Sequence, residues 1–247
     1  VTAIDRRRSG ILLHPTSLPG PHGSGDFGPS AFHFIDWLAS AGQSLWQMLP
    51  LNPIGPGNSP YASVSAFAGS PLLVALEPLV ERGWLAPQAL ETAPAFSARR
   101  VDFDRVGAWR MAQLRAAAGH FFAAASVADR DDHAAYCAAQ AYWLDDYALF
   151  MAVDESARAA SGFLPWPQWS APLARREPQA LAAARLRHGR EIDFWRFVQW
   201  CFDTQWQALK RYANARDVLI VGDLPIFVAH HSADCWARQD VFLLDAA

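Results

Sequence analysis

With 247 residues, 52% of them hydrophobic and 18% charged, the chain has ample apolar material for a buried core and is not disordered by composition. A formal net charge of −3 argues against a duplex nucleic-acid binder, which usually needs a basic face to displace counterions. No apolar run approaches the roughly 20 residues of a membrane span, and no signal peptide opens the sequence.

The short basic run Arg6-Arg7-Arg8 reads as a solvated leader. The first predicted strand is Gly10 to His14, stopped by Pro15. Pro29 to Ala41 follows as a helix, with Phe32, Ile35, Leu38 and Ala39 on one face and Gly42 at its stop. The second strand, Ser44 to Leu49, ends at Pro50. Strand, helix and strand in this order form one βαβ unit, and such units build parallel sheets. A third apolar run, Val218 to Asp223, comes well over a hundred residues later, far beyond an ordinary connection. Between them the sequence is mainly helical, with Val106 to Ala125, Asp132 to Val153 and Glu191 to Asn214 as the best candidates. In the last, Trp195, Val198, Phe202, Trp206 and Leu209 form one apolar stripe, read as packing. Gly162 to Pro172 reads as a loop, because Pro165-Trp166-Pro167 cannot be helical.

The expected architecture is therefore α/β: the first three strands of a (β/α)8 TIM barrel with a large helical insertion. Residues 1–77 hold the first barrel strands and loops, 78–190 the insertion, and 191–247 a barrel helix, the third strand and its following loop. Three strands cannot close a barrel, whose eight strands occupy about 250 residues before insertions.

The stretch from Gly23 to Gly28 matches G-x-G-x-x-G, but Pro15 to His22 separate it from the strand, and the second strand ends without a carboxylate. A dinucleotide site lacks its context here. His230, His231, Asp234 and Cys235 have no second group at ligand spacing, and a structural or solvated role is expected. Cys137, Cys201 and Cys235 lie too far apart for a disulfide or zinc framework and read as reduced thiols of a cytoplasmic protein.

In a parallel barrel the active face forms at the carboxyl ends of the strands. That places His14, the loop from Asn52 to Tyr61, and Asp223 around one mouth. Tyr61, stiffened by Pro60, fits a ring stacked on a pyranose as well as it fits core packing. Asp223 ends a run too apolar for a surface strand, so it serves a site or a structural ion pair. His14 either bonds the backbone of the first loop or meets substrate, and Asp26 fits a helix cap.

Five ordered motifs carry a resemblance. Ile11 to Pro21 is similar to the opening strand and loop of amylomaltases and plant disproportionating enzymes, and Leu45 to Leu51 to their second strand. Ser59-Pro60-Tyr61 through Gly69 resembles their sugar-contacting tyrosine loop, Tyr142 to Phe150 a signature of their helical insert, and Gly222 to Ala229 with Ser232, Asp234 and Trp236 the first conserved region of α-amylase type. The resemblance implies a 4-α-glucanotransferase that passes α-1,4-glucan segments between maltooligosaccharides with retention and without a cofactor or metal. It implies that Tyr61, Asp223, Ser59 and His14 contact substrate. His231 and Cys235 depart from the pattern, which makes that loop's role less secure. The family's three catalytic carboxylates lie downstream of the Asp223 motif, so the chain looks truncated before them and is expected to be inactive alone; no catalytic residue is assigned within it. The alternative is a non-catalytic glucan-binding fragment.

Overall fold

A computed structural model describes residues 7–244. Arg6 of the basic run, and Asp245 onward, lie outside the described residues. Three short strands, β1 (Gly10–Leu12), β2 (Leu45–Gln47) and β3 (Leu219–Val221), form one parallel sheet in the order β1-β2-β3. Leu12 stands beside Gln47, and Gln47 beside Val221. The strands are shorter than the apolar runs suggest. The ladder continues for one bond past them, Leu13 N–H to the Gln47 carbonyl and Met48 N–H to that of Val221, both 2.9 Å. Pro15 and Pro50 then bring no N–H with which to extend it.

Helix α1 (Pro29–Ser40) buries Ala31, Ile35 and Leu38, with Phe32 and Ala39 packed beside them. Gly42 takes φ +70° and closes the helix. Its N–H donates to the Ala39 carbonyl, and Gln43 N–H to that of Leu38, the paired bonds of a left-handed helix stop. The remaining helices are α2 (Glu77–Glu81), α3 (Pro87–Glu91), α4 (Phe103–Ala124), α5 (Val127–Ser161), α6 (Ala171–Ala174), α7 (Pro178–Arg187), α8 (Gly189–Asn214) and α9 (Ala233–Ala237). At 35 residues, α5 runs well past its expected span at both ends. Ser126 caps its start, accepting the Asp129 N–H at 3.1 Å, and Gly162 at φ +74° ends it. No described helix is long and apolar enough to cross a membrane.

The chain divides into two compact units. The first gathers the chain through Leu51, Gly69–Ala125 and Cys201–Leu224, so it contains the sheet. Its core joins Leu18, Phe27, Ile35, Leu38, Trp46, Met48, Leu73, Leu209 and Val218. Trp46 is wholly buried, and its indole N–H donates to the Leu13 carbonyl at 2.8 Å, tying β2 to the end of β1. Phe202 and Trp206, from the stripe on α8, close on Phe27 at 5.2 and 5.5 Å. The second unit holds Asn52–Ala68, Ser126–Trp200 and Pro225 onward. There Trp195 and Val198, from the same stripe, are buried among helices. All five stripe residues pack.

Candidate functional site

Polar side chains leave the sheet of the first unit at one end. His14 follows Leu12 by two residues and Asp223 follows Val221 by two. Those strand ends occupy the same row of the ladder, one on each side of β2. The His14 Nδ1 accepts the Thr16 N–H at 3.3 Å and meets the Thr16 hydroxyl at 2.7 Å. An Nδ1 that accepts a backbone N–H carries no proton, so the neutral ring holds its proton on Nε2. Burial pushes the imidazole below its ordinary value, and the Pro50 carbonyl draws it partly back. That carbonyl does not reach hydrogen-bond geometry, and the buried Nε2 has no formed partner among the described residues. His14 thus makes the backbone bond expected of a structural role, and its second ring nitrogen is buried. Asp223 is exposed, and its Oδ1 accepts the Leu224 N–H at 2.8 Å.

Ser59 and Tyr61 belong to the second unit. Their loop turns through Gly57 at φ +71° and Asn58 at φ +60°, and Gly55 N–H donates to the Ser59 carbonyl at 2.9 Å. The Ser59 hydroxyl then accepts the Tyr61 N–H at 3.2 Å. Tyr61 stands 43% exposed. A Cβ at Gly55 would collide with the Ala62 carbonyl oxygen, so the loop closes only around glycine. Gly55→Ala is expected to lower stability by about 1–3 kcal/mol through overpacking, read as a lower urea midpoint. An unchanged midpoint would show that this loop opens at no cost.

The other residues singled out in the sequence have structural partners. Asp26 does not cap an N–H inside α1. Its Oδ1 accepts the Gly28 N–H just before the helix at 2.9 Å, and its Oδ2 is gripped by Arg110. The glycines at 23, 25 and 28 serve packing: a Cβ at Gly25 would strike the Pro15 carbonyl oxygen. His231 accepts the Trp166 N–H on Nδ1 at 3.1 Å, and its Nε2 meets Asp154 at 2.8 Å. The Asp234 Oδ2 accepts the Ala66 N–H at 2.8 Å. Burial pushes the Asp234 carboxyl above its ordinary value, opposed by the Ala66 N–H and the Ser65 hydroxyl. Among the described residues, no group of three His, Cys, Asp or Glu is gathered closely enough to hold a metal ion. The three cysteines are unbridged, and burial pushes the Cys137 thiol up to about 11, away from reactivity.

Sequence reasoning missed the polar side chains that fix the loop from Ser63 to Ala68. The Asn52 amide donates to the carbonyls of Ser65 and Ala68, both at 3.1 Å, and the Ser65 hydroxyl accepts the N–H groups of Phe67 and Ala68. The alternating serines at 63 and 65 were the available signal, since a serine hydroxyl accepts backbone N–H groups two or three residues on.

A parallel sheet with polar groups beyond its carboxyl ends, and a long helical segment between its second and third strands, places the chain in the α/β class. Residues 13–247 match the family model described as 4-alpha-glucanotransferase, and the chain belongs to this family, glycoside hydrolase 77. It is 48% identical over 242 residues to the 4-alpha-glucanotransferase of Synechocystis sp., covering 98% of this chain and 47% of that protein. It is 47% identical over 239 residues to that of Thermus thermophilus, covering 97% of this chain and 46% of the relative. Its fold is similar to the amylomaltase from Streptococcus agalactiae in complex with acarbose, with a TM-score of 0.90 at 32% identity, over 97% of this chain and 48% of that one. The chain spans a little under half the length of these relatives.

Proposed function

We propose that the chain forms part of a 4-α-glucanotransferase that moves α-1,4-glucan segments between maltooligosaccharides with retention at the anomeric carbon. In this reading the sheet is the opening of a (β/α)8 barrel, with residues 1–77, 78–190 and 191–247 as its first strands, its helical insertion and its return to the third strand. The observation that carries the reading is the family match over residues 13–247. The amylomaltase neighbour's acarbose complex supports a sugar ligand.

The residues of this chain bind rather than cleave. Tyr61 offers a half-exposed ring to a pyranose face, on a loop whose backbone Ser59 holds. The Asp223 carboxylate is exposed and can accept from a sugar hydroxyl, whereas His14, with its Nε2 buried, is the weaker member of the set. Retention needs two carboxyl groups roughly 5 to 5.5 Å apart, one as nucleophile and one as acid/base. Asp26 and Asp234 are engaged with Arg110 and the Ala66 N–H and are not offered for that step. A cytoplasmic location and cofactor-free chemistry, with no nucleic-acid or membrane partner, belong to the same reading.

Two measurements test it. The 247-residue chain incubated with maltotriose is expected to release neither glucose nor longer oligosaccharides; turnover proportional to pure chain would show that the cleaving carboxylates lie within it. Joined in frame to the remaining half of the Synechocystis relative, the chain is expected to disproportionate maltotriose. In that fusion Asp223→Asn should lower kcat/KM about 10- to 100-fold, the worth of a hydrogen bond to a charged group. A folded fusion that makes no glucose would overturn the assignment.

A further inference from the structure

We infer that Asp234 is a positioning residue for Tyr61: its carboxylate clamps the arm of the loop on which that ring stands and so fixes the angle at which the ring meets a sugar. The inference rests on reading Tyr61 as a substrate contact. All the residues involved belong to the second compact unit.

Tyr61 stands between a turn that closes on itself and an arm that is held from elsewhere. Upstream, the Gly55 N–H donates to the Ser59 carbonyl at 2.9 Å and the Asn58 N–H to the Gly55 carbonyl at 3.0 Å. Downstream, the arm finds its partners more than 160 residues along the chain, in the segment that follows β3. The Ala229 N–H donates to the Ser63 carbonyl at 3.4 Å, and the Ala233 N–H to the Val64 carbonyl at 2.8 Å. Asp234 completes the row, its Oδ2 accepting the Ala66 N–H at 2.8 Å.

Of these three contacts, the one at Ala66 is made by a carboxylate, and a charge-assisted bond is roughly twice as strong as a neutral one. The same carboxyl takes a bond from the Ser65 hydroxyl. That hydroxyl in turn accepts the Phe67 and Ala68 N–H groups, at 3.1 and 3.3 Å. A buried polar network whose members are all engaged specifies one backbone arrangement. Asp234 is itself firmly mounted. It lies in the first turn of α9, whose Ser232 cap accepts the Cys235 N–H at 3.1 Å, and its neighbours Ala233 and Cys235 are buried. Tyr61, by contrast, is half-exposed, so its direction comes from its backbone more than from packing. A contact that depends on ring angle then depends on whatever holds that backbone.

Fluorine NMR of the 247-residue chain labelled with fluorotyrosine tests the clamp directly. The chain has five tyrosines, and Tyr61→Phe identifies the Tyr61 signal. In Asp234→Ala that signal is expected to move toward its unfolded position, while those of Tyr136 on α5 and Tyr212 on α8 stay. Asp234→Asn keeps an acceptor for the Ala66 N–H and should leave the Tyr61 signal near its place. In the glucosyl-transfer fusion, Asp234→Ala should raise KM for maltotriose about 3- to 10-fold with kcat little changed, as expected for lost binding common to ground and transition states. Added to Tyr61→Ala it should change almost nothing further, because it acts through that ring. A Tyr61 signal that stays put in Asp234→Ala overturns the clamp. Loss of the Tyr136 signal together with it would assign Asp234 to the folding of the whole unit and overturn the positioning role. Full additivity with Tyr61→Ala overturns the route through the ring. A fusion without transfer activity counts against the wider reading, and the fluorine spectra still decide the clamp.

Discussion

Arg110→Met should lower stability by about 3–5 kcal/mol, the usual consequence of removing one member of a buried ion pair. The Arg110 side chain is wholly buried in α4. Its Nη1–H donates to the Val74 carbonyl at 2.7 Å, and Nη2 faces Asp26, with the Ser24 carbonyl at 3.5 Å. Methionine fills much of the volume but leaves an almost buried carboxylate and a backbone carbonyl unpaired. Because Asp26 also holds the Gly28 N–H at the entry to α1, the damage reaches the helix that covers the sheet. Arg110→Lys should recover part of the loss, since charge returns without the two-pronged geometry. Asp26→Asn in the Arg110→Met background should cost less than the sum of the single changes, because the unpaired charge is gone. Urea denaturation followed by tryptophan fluorescence measures all three, and a loss below about 1 kcal/mol for Arg110→Met would show that the pair contributes little net stability.

Local structure was legible in the sequence wherever neighbours in sequence determine it. The face formed by Ile35 and Leu38, the stop at Gly42 and the apolar runs cut by Pro15 and Pro50 all depend on residues within a few positions. The length of α5 was within reach too: Ser126, with Asp129 three residues on, is a capping pattern that sets the helix start at Val127, ahead of Asp132. What could not be read is which charges are buried. Arg110 differs in nothing local from Arg105 or Arg115 on the same helix; its partners at Asp26 and Val74 are 84 and 36 residues away. His231 is the same case, since its bond to Asp154 spans 77 residues. Among the site residues, the shared row of the strand ends that precede His14 and Asp223 followed from parallel strands alone. The pinned backbone under Phe67 did not, because Asn52 and Asp234 reach it from distant positions.

Asp154→Asn should cost about 1–3 kcal/mol at neutral pH, the range for leaving a buried donor without its acceptor, and the cost should shrink in acid. The Asp154 side chain is 5% exposed, with Oδ1 2.8 Å from the His231 Nε2 and Oδ2 accepting from the Arg158 Nε at 2.6 Å. Because the His231 Nδ1 accepts the Trp166 N–H, its proton sits on Nε2 and points at the carboxylate. The segment at Trp166 and the loop at His231 are thus secured to α5 through one carboxyl group, and Trp166 adds a 2.7 Å bond from its indole N–H to the His230 carbonyl. Burial pushes the Asp154 carboxyl up, but the bonds from His231 and Arg158 outweigh it and hold the group below the usual carboxylate range. A carboxyl depressed by folding takes up its proton first in the unfolded chain as pH falls. Its stabilising contribution is therefore complete above the ordinary Asp value of about 4 and disappears as pH drops through the lower folded value. Asparagine does not titrate. The stability gap between the unaltered chain and Asp154→Asn should stay level from pH 7 to about 5 and then narrow. Urea midpoints across that range give the profile; a gap that widens in acid would mean that the carboxyl is destabilised by its site, and that the bonds to His231 and Arg158 fail to offset burial.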